Sequence, residues 1–365
     1  MQGGETYLSA FALLLHAGPL QIGLLSALPP IIGAWSQLIS VKLLNRIKGR
    51  NSLILCGAMG QALTWLTLAM LPMLAPSHAT WLLLASATMY FVMGNLIVPA
   101  WNGVITGALH PDERGAYFAR RGKIVAVVSF AALVVAGLVL HASSRWETPW
   151  LGFATIFLLA SAARMISIRY LRRLPESTPS EATRDRSGFG RFMRDHRNAM
   201  FRRFLLFSGS FYAAAMIAGP FFVVYLLRDL HLTYVQYGLW LAAPILAQLV
   251  SLKEWGHIAD TFGNKNVLVV TGLAIPILPM LYLCSTNWMF LVAINFLSGT
   301  LWPGFSLSLQ NYVFDIVRPE DRPKGVAVYH TVNAVGAGMG ALLGGWLASV
   351  APSPLLFFGI TLPLV

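Results

Sequence analysis

The stretch IGLLSALPPIIGAWSQLISVKLLNRIKGR (residues 22–50) joins an apolar run to a short, strongly basic connection. The run ends near Val41 and, at ~1.5 Å per residue in a helix, is long enough to cross the apolar layer of a bilayer. The connection that follows carries Lys42, Arg46, Lys48 and Arg50. Because basic residues are retained on the cytoplasmic side of a membrane, the stretch predicts a membrane helix that ends in the cytoplasm.

The same pairing of apolar run and basic connection repeats along the chain. All but two of the 26 lysines and arginines fall in or beside every second connection, and the exceptions are Arg145 and Arg228. The later basic connections carry Arg114, Arg120, Arg121 and Lys123, then the segment 172–203, then Lys253 and Lys265, and finally Arg318, Arg322 and Lys324. This alternation predicts a multi-pass protein of the cytoplasmic (inner) membrane whose basic loops and central linker are cytoplasmic.

Composition excludes several classes of protein. With 56% hydrophobic and 11% charged residues, the chain lies far from the roughly 25% charged residues of soluble domains. Loops that face anionic lipid account for the net charge of +12, so the lipid bilayer is an expected partner and nucleic acid is not. The sequence has no phosphate-binding loop, no metal-ligand spacing and no cluster of His, Asp or Glu typical of a membrane enzyme. We therefore expect a protein that is not an enzyme and holds no cofactor or metal.

Long apolar runs predict ten complete membrane-spanning helices. They are placed at 22–41, 52–74, 81–108, 123–142, 150–171, 203–227, 235–256, 266–284, 288–316 and 326–350. Two further apolar stretches, 5–16 and 353–365, are too short to span a bilayer. The simpler interpretation is a protein of twelve spans whose first and last helices are truncated in this chain. The alternative is ten spans with two re-entrant or interfacial ends.

One polar segment divides the spans into two groups. Residues 174–200 are rich in Pro, Ser and Arg and are predicted to form a cytoplasmic linker. The linker separates an N-terminal bundle (1–173) from a C-terminal bundle (201–365). Within it, residues 189–197 could form a basic amphipathic helix on the membrane surface or remain a solvated tether.

The two bundles resemble each other in sequence. A shift of 215 residues superposes 21–57 on 236–272 without a gap. Matched pairs include Gln21 and Gln236, Pro29 and Pro244, Asn51 and Asn266, and Gly57 and Gly272. Two similar bundles with a substrate bound between them are a recurring plan of transporters, in which one bundle rocks against the other. The repeat therefore predicts a transport mechanism as well as a shape.

A cluster of glycines lies in the apolar run near the C-terminus, in the sequence VGAGMGALLGG. Its members Gly336, Gly340 and Gly344 are spaced four apart. Small residues at that spacing allow membrane helices to pack backbone to backbone. We expect a close helix contact there, and no nucleotide-binding role.

The connection after the span 235–256 carries a motif, Gly256-His-Ile-Ala-Asp260-Thr-Phe-Gly263-Asn-Lys265. Gly256 permits close approach of helices and Gly263 permits a tight turn. Asp260 can cap a neighbouring helix or accept hydrogen bonds from its end. The motif resembles the loop signature between the second and third helices of each half in the major facilitator superfamily.

This chain departs from the signature in two ways. Thr261 stands where the superfamily has an arginine after the aspartate. The matching loop of the first half is degenerate and reads Asn45-Arg46-Ile-Lys48-Gly-Arg50. The stretch from Trp101 to Arg121 also looks like the loop after the fourth helix of poorly characterised bacterial permeases in the same superfamily.

The resemblance covers essentially the whole chain for fold. It implies an all-α integral membrane protein with two pseudo-symmetric six-helix bundles and twelve spans, which we expect to be monomeric. It also implies a cytoplasmic gate that changes between two arrangements. The gate residues implied are Gly256, Asp260, Gly263 and Lys265, together with Arg46, Arg50, Arg114 and Arg322.

Charged and polar residues inside the spans are the candidates for handling a substrate, because they are costly in a membrane. Glu5 is placed about 11 residues before the outer end of its helix at His16, which is ~16 Å and close to mid-membrane. A carboxyl group buried there favours its protonated form and could carry a coupling proton. Arg164 could bind an anionic substrate or extend to the surface. Cavity-lining candidates are Trp101, Asn102, Asn295, Trp302, Gln310 and Asn311.

These features predict a secondary active transporter that moves a small organic solute by alternating access and is coupled to protons. The alternative is a membrane sensor or assembly factor of the same shape, which would bind a ligand without moving it. The scarcity of charge in the spans favours a neutral or lipophilic solute.

Overall fold

The computed structural model describes residues 2–44, 50–74, 78–108, 110, 114–173, 199–318 and 321–350. These residues form helices and connections. The helices are α1 (Gln2–Thr6), α2 (Leu8–Leu14), α3 (Pro19–Leu44), α4 (Arg50–Leu74), α5 (Ala79–Ala108), α6 (Arg114–Arg145), α7 (Pro149–Leu171), α8 (Ala199–Ala218), α9 (Tyr234–Phe262), α10 (Asn264–Ala274), α11 (Ile277–Leu281), α12 (Trp288–Ile316) and α13 (Arg322–Val350). Most of the predicted linker and the stretch 353–365 lie outside the described residues.

The predicted membrane spans are confirmed. Among the described residues, nine helical segments are long and apolar enough to cross a membrane. They coincide with nine of the ten complete spans predicted from the sequence, from Asn51–Met73 to Gly325–Val350. The remaining span, 22–41, lies within α3, a helix of 26 residues that includes Pro29 and Pro30. The all-α membrane fold is therefore correct.

Three predicted helices are interrupted. The first is divided at Tyr7 into α1 and α2. The span 266–284 is divided around Pro276 into α10 and α11, because proline lacks a backbone donor and its ring clashes with the preceding turn. Helix α8 continues through a 3-10 turn (Gly219–Phe221), a short α-helical stretch (Phe222–Val224) and a π-helical turn (Tyr225–Asp229).

The internal repeat is visible in atomic detail at the start of the second helix of each half. The amide oxygen of Gln21 accepts a hydrogen bond from the Gly18 backbone at 2.9 Å, and that of Gln236 accepts one from the Thr233 backbone at 2.9 Å. Both pairs are related by the same shift of 215 residues. In each half, the glutamine thus satisfies a backbone donor that the helix itself leaves unpaired.

The same shift relates His16 and His231, which precede these helices. Both have a left-handed backbone, with φ of 57° and 51°. Left-handed conformations are uncommon for residues with a side chain. Their recurrence at equivalent positions shows that the two connections follow the same path.

Helix α13 packs closely on α8 through its glycines, as the sequence predicts. A Cβ atom at Gly336, Gly340 or Gly344 would collide with the backbone of α8. The backbone atoms that these three positions meet belong to Gly209, Ala213 and Ile217, respectively. The spacing of four residues is thus matched on both helices, which places two backbones in direct contact.

The two halves meet at one end of the bundle. We call the end with the basic connections the basic face, and the end with connections 15–18, 146–148 and 230–233 the opposite face. Near the opposite face, α3 packs on α13 and α6 packs on α9. A Cβ at Gly23 would lie 2.7 Å from the Ala341 carbonyl oxygen, and one at Gly137 would lie 3.0 Å from the Tyr234 carbonyl oxygen.

Apolar clusters show the same division. One cluster near the opposite face contains residues of both halves, including Phe11, Phe153, Tyr237 and Leu291. Toward the basic face, the described residues form two separate clusters, each built from one half. The N-terminal cluster is centred on Ile54 and Val104. The C-terminal cluster includes Phe201, Phe305 and Val313. Among the described residues, the halves therefore share a core near the opposite face and not near the basic face.

We predict that Gly340→Ala destabilises the protein. Its added methyl group meets the Ala213 carbonyl oxygen, so α8 and α13 must separate, at a cost of ~1–3 kcal/mol. The matched control is Gly256→Ala, because a Cβ at Gly256 has open space around it. Thermal unfolding of the purified proteins in detergent measures both. Equal melting temperatures for the two variants would contradict the backbone contact.

Candidate functional site

A polar cluster lies inside the N-terminal half. The Tyr90 hydroxyl on α5 donates a hydrogen bond to Oε2 of Glu5 on α1 at 3.2 Å. The Tyr90 ring packs against the buried Trp65 ring of α4 at 4.8 Å between centroids. Gln61, also on α4, donates to the Tyr90 carbonyl oxygen at 3.3 Å. Glu5 is therefore a half-buried carboxyl group held by a neighbouring span, and is not at a helix end facing water.

Arg164 lies on α7, which packs against α4 and α1. Its position is half-buried, and its Nε atom is buried without a hydrogen-bond partner among the described residues. Arg164 lies within electrostatic range of Tyr90. Tyr90 thus interacts with two of the predicted candidates, by a hydrogen bond with Glu5 and electrostatically with Arg164.

In the C-terminal half, Asn295 and Trp302 line two cavities. The larger one measures about 490 Å³ and is bounded by α8, α9, α11 and α12 and by the break between α10 and α11. The smaller one measures about 410 Å³ and lies between α9 and α12. Asn295 Nδ2 donates to the Trp240 carbonyl oxygen at 2.7 Å, so it also bridges α12 to α9. Both alternatives considered for Asn295, lining a cavity and bridging helices, are present.

The smaller cavity faces the N-terminal half. Ile245 lines it and lies two turns along α9 from Gly238, on the same side of the helix. Gly238 contacts the N-terminal half directly, where a Cβ would lie 2.8 Å from the Tyr7 hydroxyl. Gln248 continues this lining toward the basic face. The lining side chain of Ile245 thus lies on the side of α9 that faces the N-terminal half.

The larger cavity is a weaker candidate. It is lined mainly by apolar and aromatic side chains, including Phe211, Phe222 and Tyr282. The corresponding space in the N-terminal half is filled by α7, whose Phe157 stacks on Trp65 at 5.5 Å between centroids. The space that corresponds to the larger cavity is thus occupied by a packed helix in the N-terminal half, which argues against a solute site in the larger cavity.

Other predicted candidates lie apart from the cavities. Trp101 at the basic end of α5 is covered by the Arg121 guanidinium, 4.6 Å from the ring centroid, so this face of the ring is not free to stack on a solute. Gln310 is exposed and Asn311 is half-buried near the basic end of α12. The side chain of Asn102 lies outside the described residues.

The loop motif forms a tight corner between α9 and α10. Gly263 has φ 84°, the left-handed conformation that the turn requires. Gly256 makes no close approach to the described residues in this arrangement, since a Cβ there would meet nothing within 4 Å. Asp260 is exposed. The hydrogen bond that joins this corner to another span runs instead from Asn264 Nδ2 to Asp315 Oδ2 at 2.9 Å.

The remaining gate residues surround the basic face. Lys265 shares the rim of a cavity of about 600 Å³ between α8 and α10 with Arg203. Arg322 donates from Nη2 to the Phe314 carbonyl oxygen at 3.1 Å and ties the start of α13 to the end of α12. Arg46 and the side chains of Arg50 and Arg114 lie outside the described residues.

Two functional candidates were missed by sequence reasoning. Gln248 was overlooked because a glutamine in an apolar helix carries no charge. Only the packing of α9 shows that this residue lines a cavity. Tyr90 was overlooked because tyrosine is common in membrane helices. The spacing of Glu5 in its helix indicates depth, but it does not indicate which span faces the carboxyl group.

Comparison with known proteins agrees with this architecture. A sequence model of the Major Facilitator Superfamily matches residues 3–222 and again residues 204–365. An MFS-type transporter of Aspergillus terreus is 27% identical over 118 residues, which is 32% of this chain and 21% of that protein. The chain thus spans about a fifth of that relative's length.

Solved structures share the fold at low sequence identity. The nucleoside transporter NupG superposes with a TM-score of 0.70 and 15% identity, over 96% of this chain and 86% of that one. A bacterial homologue of the human lysosomal transporter Spinster, in an inward-facing and unoccupied conformation, gives a TM-score of 0.74 and 15% identity, over 96% and 79%. With both halves matched by the family model, the chain belongs to the Major Facilitator Superfamily.

Proposed function

We propose that this protein is a proton-coupled secondary transporter that moves a neutral small organic solute across the cytoplasmic membrane by alternating access. The observation that carries the proposal is that two repeated halves share an apolar core at the opposite face and have separate cores at the basic face. Rocking about such a one-sided contact opens and closes a central site. In this proposal, residues 1–173 and 201–365 are the moving units and 174–200 is the linker.

The positive-inside rule supports an orientation for the proposed cycle. Basic residues are concentrated at the face where the halves have separate cores. Since that face is expected to be cytoplasmic, the separate cores there support an inward-open assignment in this proposal. The gate residues of the α9–α10 corner would then engage when the halves close at this face. The inward-facing Spinster homologue, which shares the fold, is consistent with this assignment.

The chemistry of the smaller cavity supports a neutral solute. Its polar groups are the amides of Gln248 and Asn295 and the hydroxyls of Ser298 and Ser306, and Trp302 adds an aromatic surface. None of the described residues that line it is charged. A few placed hydrogen-bonding groups in an otherwise apolar pocket favour an uncharged organic molecule.

Glu5 is the proposed coupling group. A carboxyl group inside a bilayer is costly in its charged form and can alternate between protonated and charged states during a cycle. Tyr90 fixes its position with a hydrogen bond. The carboxyl group therefore has both the depth and the orientation that a proton carrier between two accessible states requires.

We predict that Glu5→Gln abolishes proton movement while the protein still binds solute, because the amide cannot carry a proton. Liposomes that contain the protein and a pH dye, challenged with pooled metabolites and amphiphilic drugs, measure the effect. The control is Glu254→Gln on α9, where the side chain is exposed. Coupling that survives in Glu5→Gln excludes this role. Flux without proton movement in the wild type identifies a facilitator, and solute-induced stabilisation without flux identifies a sensor.

A second prediction tests alternating access. A Cβ at Gly345 lies 3.4 Å from the Cα of Leu20, so the pair Leu20→Cys and Gly345→Cys is close enough for a disulfide. Its oxidation should hold the opposite face shut and stop flux, and reduction should restore flux. The background carries Cys56→Ser and Cys284→Ser, because both native cysteines are exposed and unpaired. Full flux with the disulfide formed would exclude the rocking mechanism, and each single cysteine serves as a control.

A third prediction tests the solute site. Gln248→Ala should weaken solute binding about 2–10-fold, the effect of losing one net hydrogen bond. The matched control is Gln310→Ala, which alters an exposed amide that lines neither cavity. Binding is measured by ligand-induced thermal stabilisation of the purified protein. An effect confined to Gln310→Ala would place the site elsewhere.

A further inference from the structure

A second polar cluster lies inside the C-terminal half, where α13 packs on α8. Tyr329 and Asn333 lie one turn apart on α13 and are only 4% and 8% exposed. The Tyr329 side chain is hydrogen-bonded to Tyr212 of α8 and to the Asn333 amide. Asn333 Oδ1 is buried without a hydrogen-bond partner among the described residues. A buried acceptor that lacks a partner is costly and requires an explanation.

The hydrogen bonds of this cluster leave one atom of Asn333 available. Because Oδ1 has no partner, the contact with Tyr329 runs through Nδ2, which donates to the tyrosine hydroxyl oxygen. The single hydroxyl proton of Tyr329 is then left for Tyr212. The amide is thus held through its nitrogen, and Oδ1 can accept a hydrogen bond from a group outside the cluster.

The cluster adjoins the smaller cavity through Trp302. The Trp302 side chain lines that cavity, and its ring centroid lies 5.8 Å from that of Tyr212. Trp302 therefore contacts both the proposed solute cavity and the first member of the cluster.

The position of Asn333 on α13 indicates the direction in which it faces. A Cβ at Gly336 would meet the backbone of α8, and a Cβ at Gly338 would meet a side chain of α3 in the N-terminal half. At ~100° per residue around the helix axis, Asn333 lies in one of the two arcs between these directions and Val335 lies in the other. Val335 is 40% exposed. Asn333 is therefore turned toward the junction of the halves and away from the exposed side of α13.

We propose that Asn333 is a specificity-determining residue of the solute site and that its Oδ1 accepts a hydrogen bond from a hydroxyl or amide N–H of the solute. An apolar part of the solute lies against Trp302, and its donor reaches the cluster beside Tyr212. Tyr329 is a positioning residue, since it holds the amide that carries the acceptor. The proposal rests on the proposed function and narrows it from a neutral solute to an alcohol or an amide.

A matched pair of ligands tests this acceptor. The probes are a phenylbutanol with its hydroxyl at the end of the chain and the methyl ether of that alcohol, which keeps the aromatic ring but has no donor. Affinities are measured by thermal stabilisation of the purified full chain in detergent. In the wild type, we expect the alcohol to bind about 2–10-fold more tightly than the ether, the effect of one net hydrogen bond.

Asn333→Leu should remove this preference, so that the two affinities differ by less than about twofold. Its melting temperature without ligand should not fall below that of the wild type, because leucine replaces an unpaired buried acceptor with an apolar group of similar size. An amide with a purely structural role would give the reverse, a lower melting temperature and an unchanged preference. Asn333→Ala repeats the test in case the leucine variant folds poorly.

Two further variants serve as controls. Asn266→Leu makes the same substitution at an exposed amide on α10 and should keep the preference for the alcohol. Tyr329→Phe removes the hydroxyl that holds the Asn333 amide. It should reduce the preference without abolishing it, because the acceptor itself remains.

The outcomes separate this proposal from the proposed function. A preference that is retained in both Asn333 variants, or that is absent from the wild type, overturns the role of Asn333. Proton-coupled flux that depends on Glu5 is measured separately, so the proposed function then stands alone. A preference that is lost in the Asn333 variants of a protein that binds the alcohol but moves no solute upholds the acceptor and overturns the transport function.

Discussion

The close contact between the two halves at the opposite face is the constraint on which the rest of the structure depends. Within a bilayer, apolar surface gains little by leaving lipid, so helices associate through backbone approach and packing. Gly23 of α3 and Gly345 of α13 allow that approach between the halves. Among the described residues, the core that both halves share lies beside this contact, and toward the basic face each half has a cluster of its own.

Much of the fold could be predicted because its main determinants, the length of the apolar runs and the alternation of charge, can be read directly along the sequence. Span length is set by bilayer thickness, and charge alternation follows from membrane topology. The match of Gln21 with Gln236 reflects a capping hydrogen bond that occurs at equivalent positions in both halves. The breaks at Tyr7 and in the π-helical turn Tyr225–Asp229 could not be predicted, because tertiary packing decides where a regular helix is interrupted.

The candidate site was less predictable, for a physical reason. Depth in the membrane can be counted along a helix, so Glu5 and Arg164 were identifiable as unusual residues. Which neighbour each side chain faces depends on helix rotation, which a nearly uniform apolar sequence does not specify. Trp101 illustrates the difficulty, since its ring is covered by Arg121 on the adjacent span. Gln248 illustrates the opposite case, because nothing in the sequence distinguishes it and only the structure shows that it lines a cavity.

The two halves keep the same scaffold but differ in chemistry. By the shift of 215 residues, Gly4 corresponds to Gly219, whereas Glu5 corresponds to Pro220, which cannot ionise. The N-terminal half therefore has a buried acid at a position where its copy has none, and the uncharged cavity lies in the C-terminal half. If proton and solute are handled by different halves, neither needs to displace the other directly. Coupling then arises because both sites influence the same equilibrium between the two arrangements of the halves. The proton and the solute each bind one arrangement more tightly than the other, so each shifts that equilibrium.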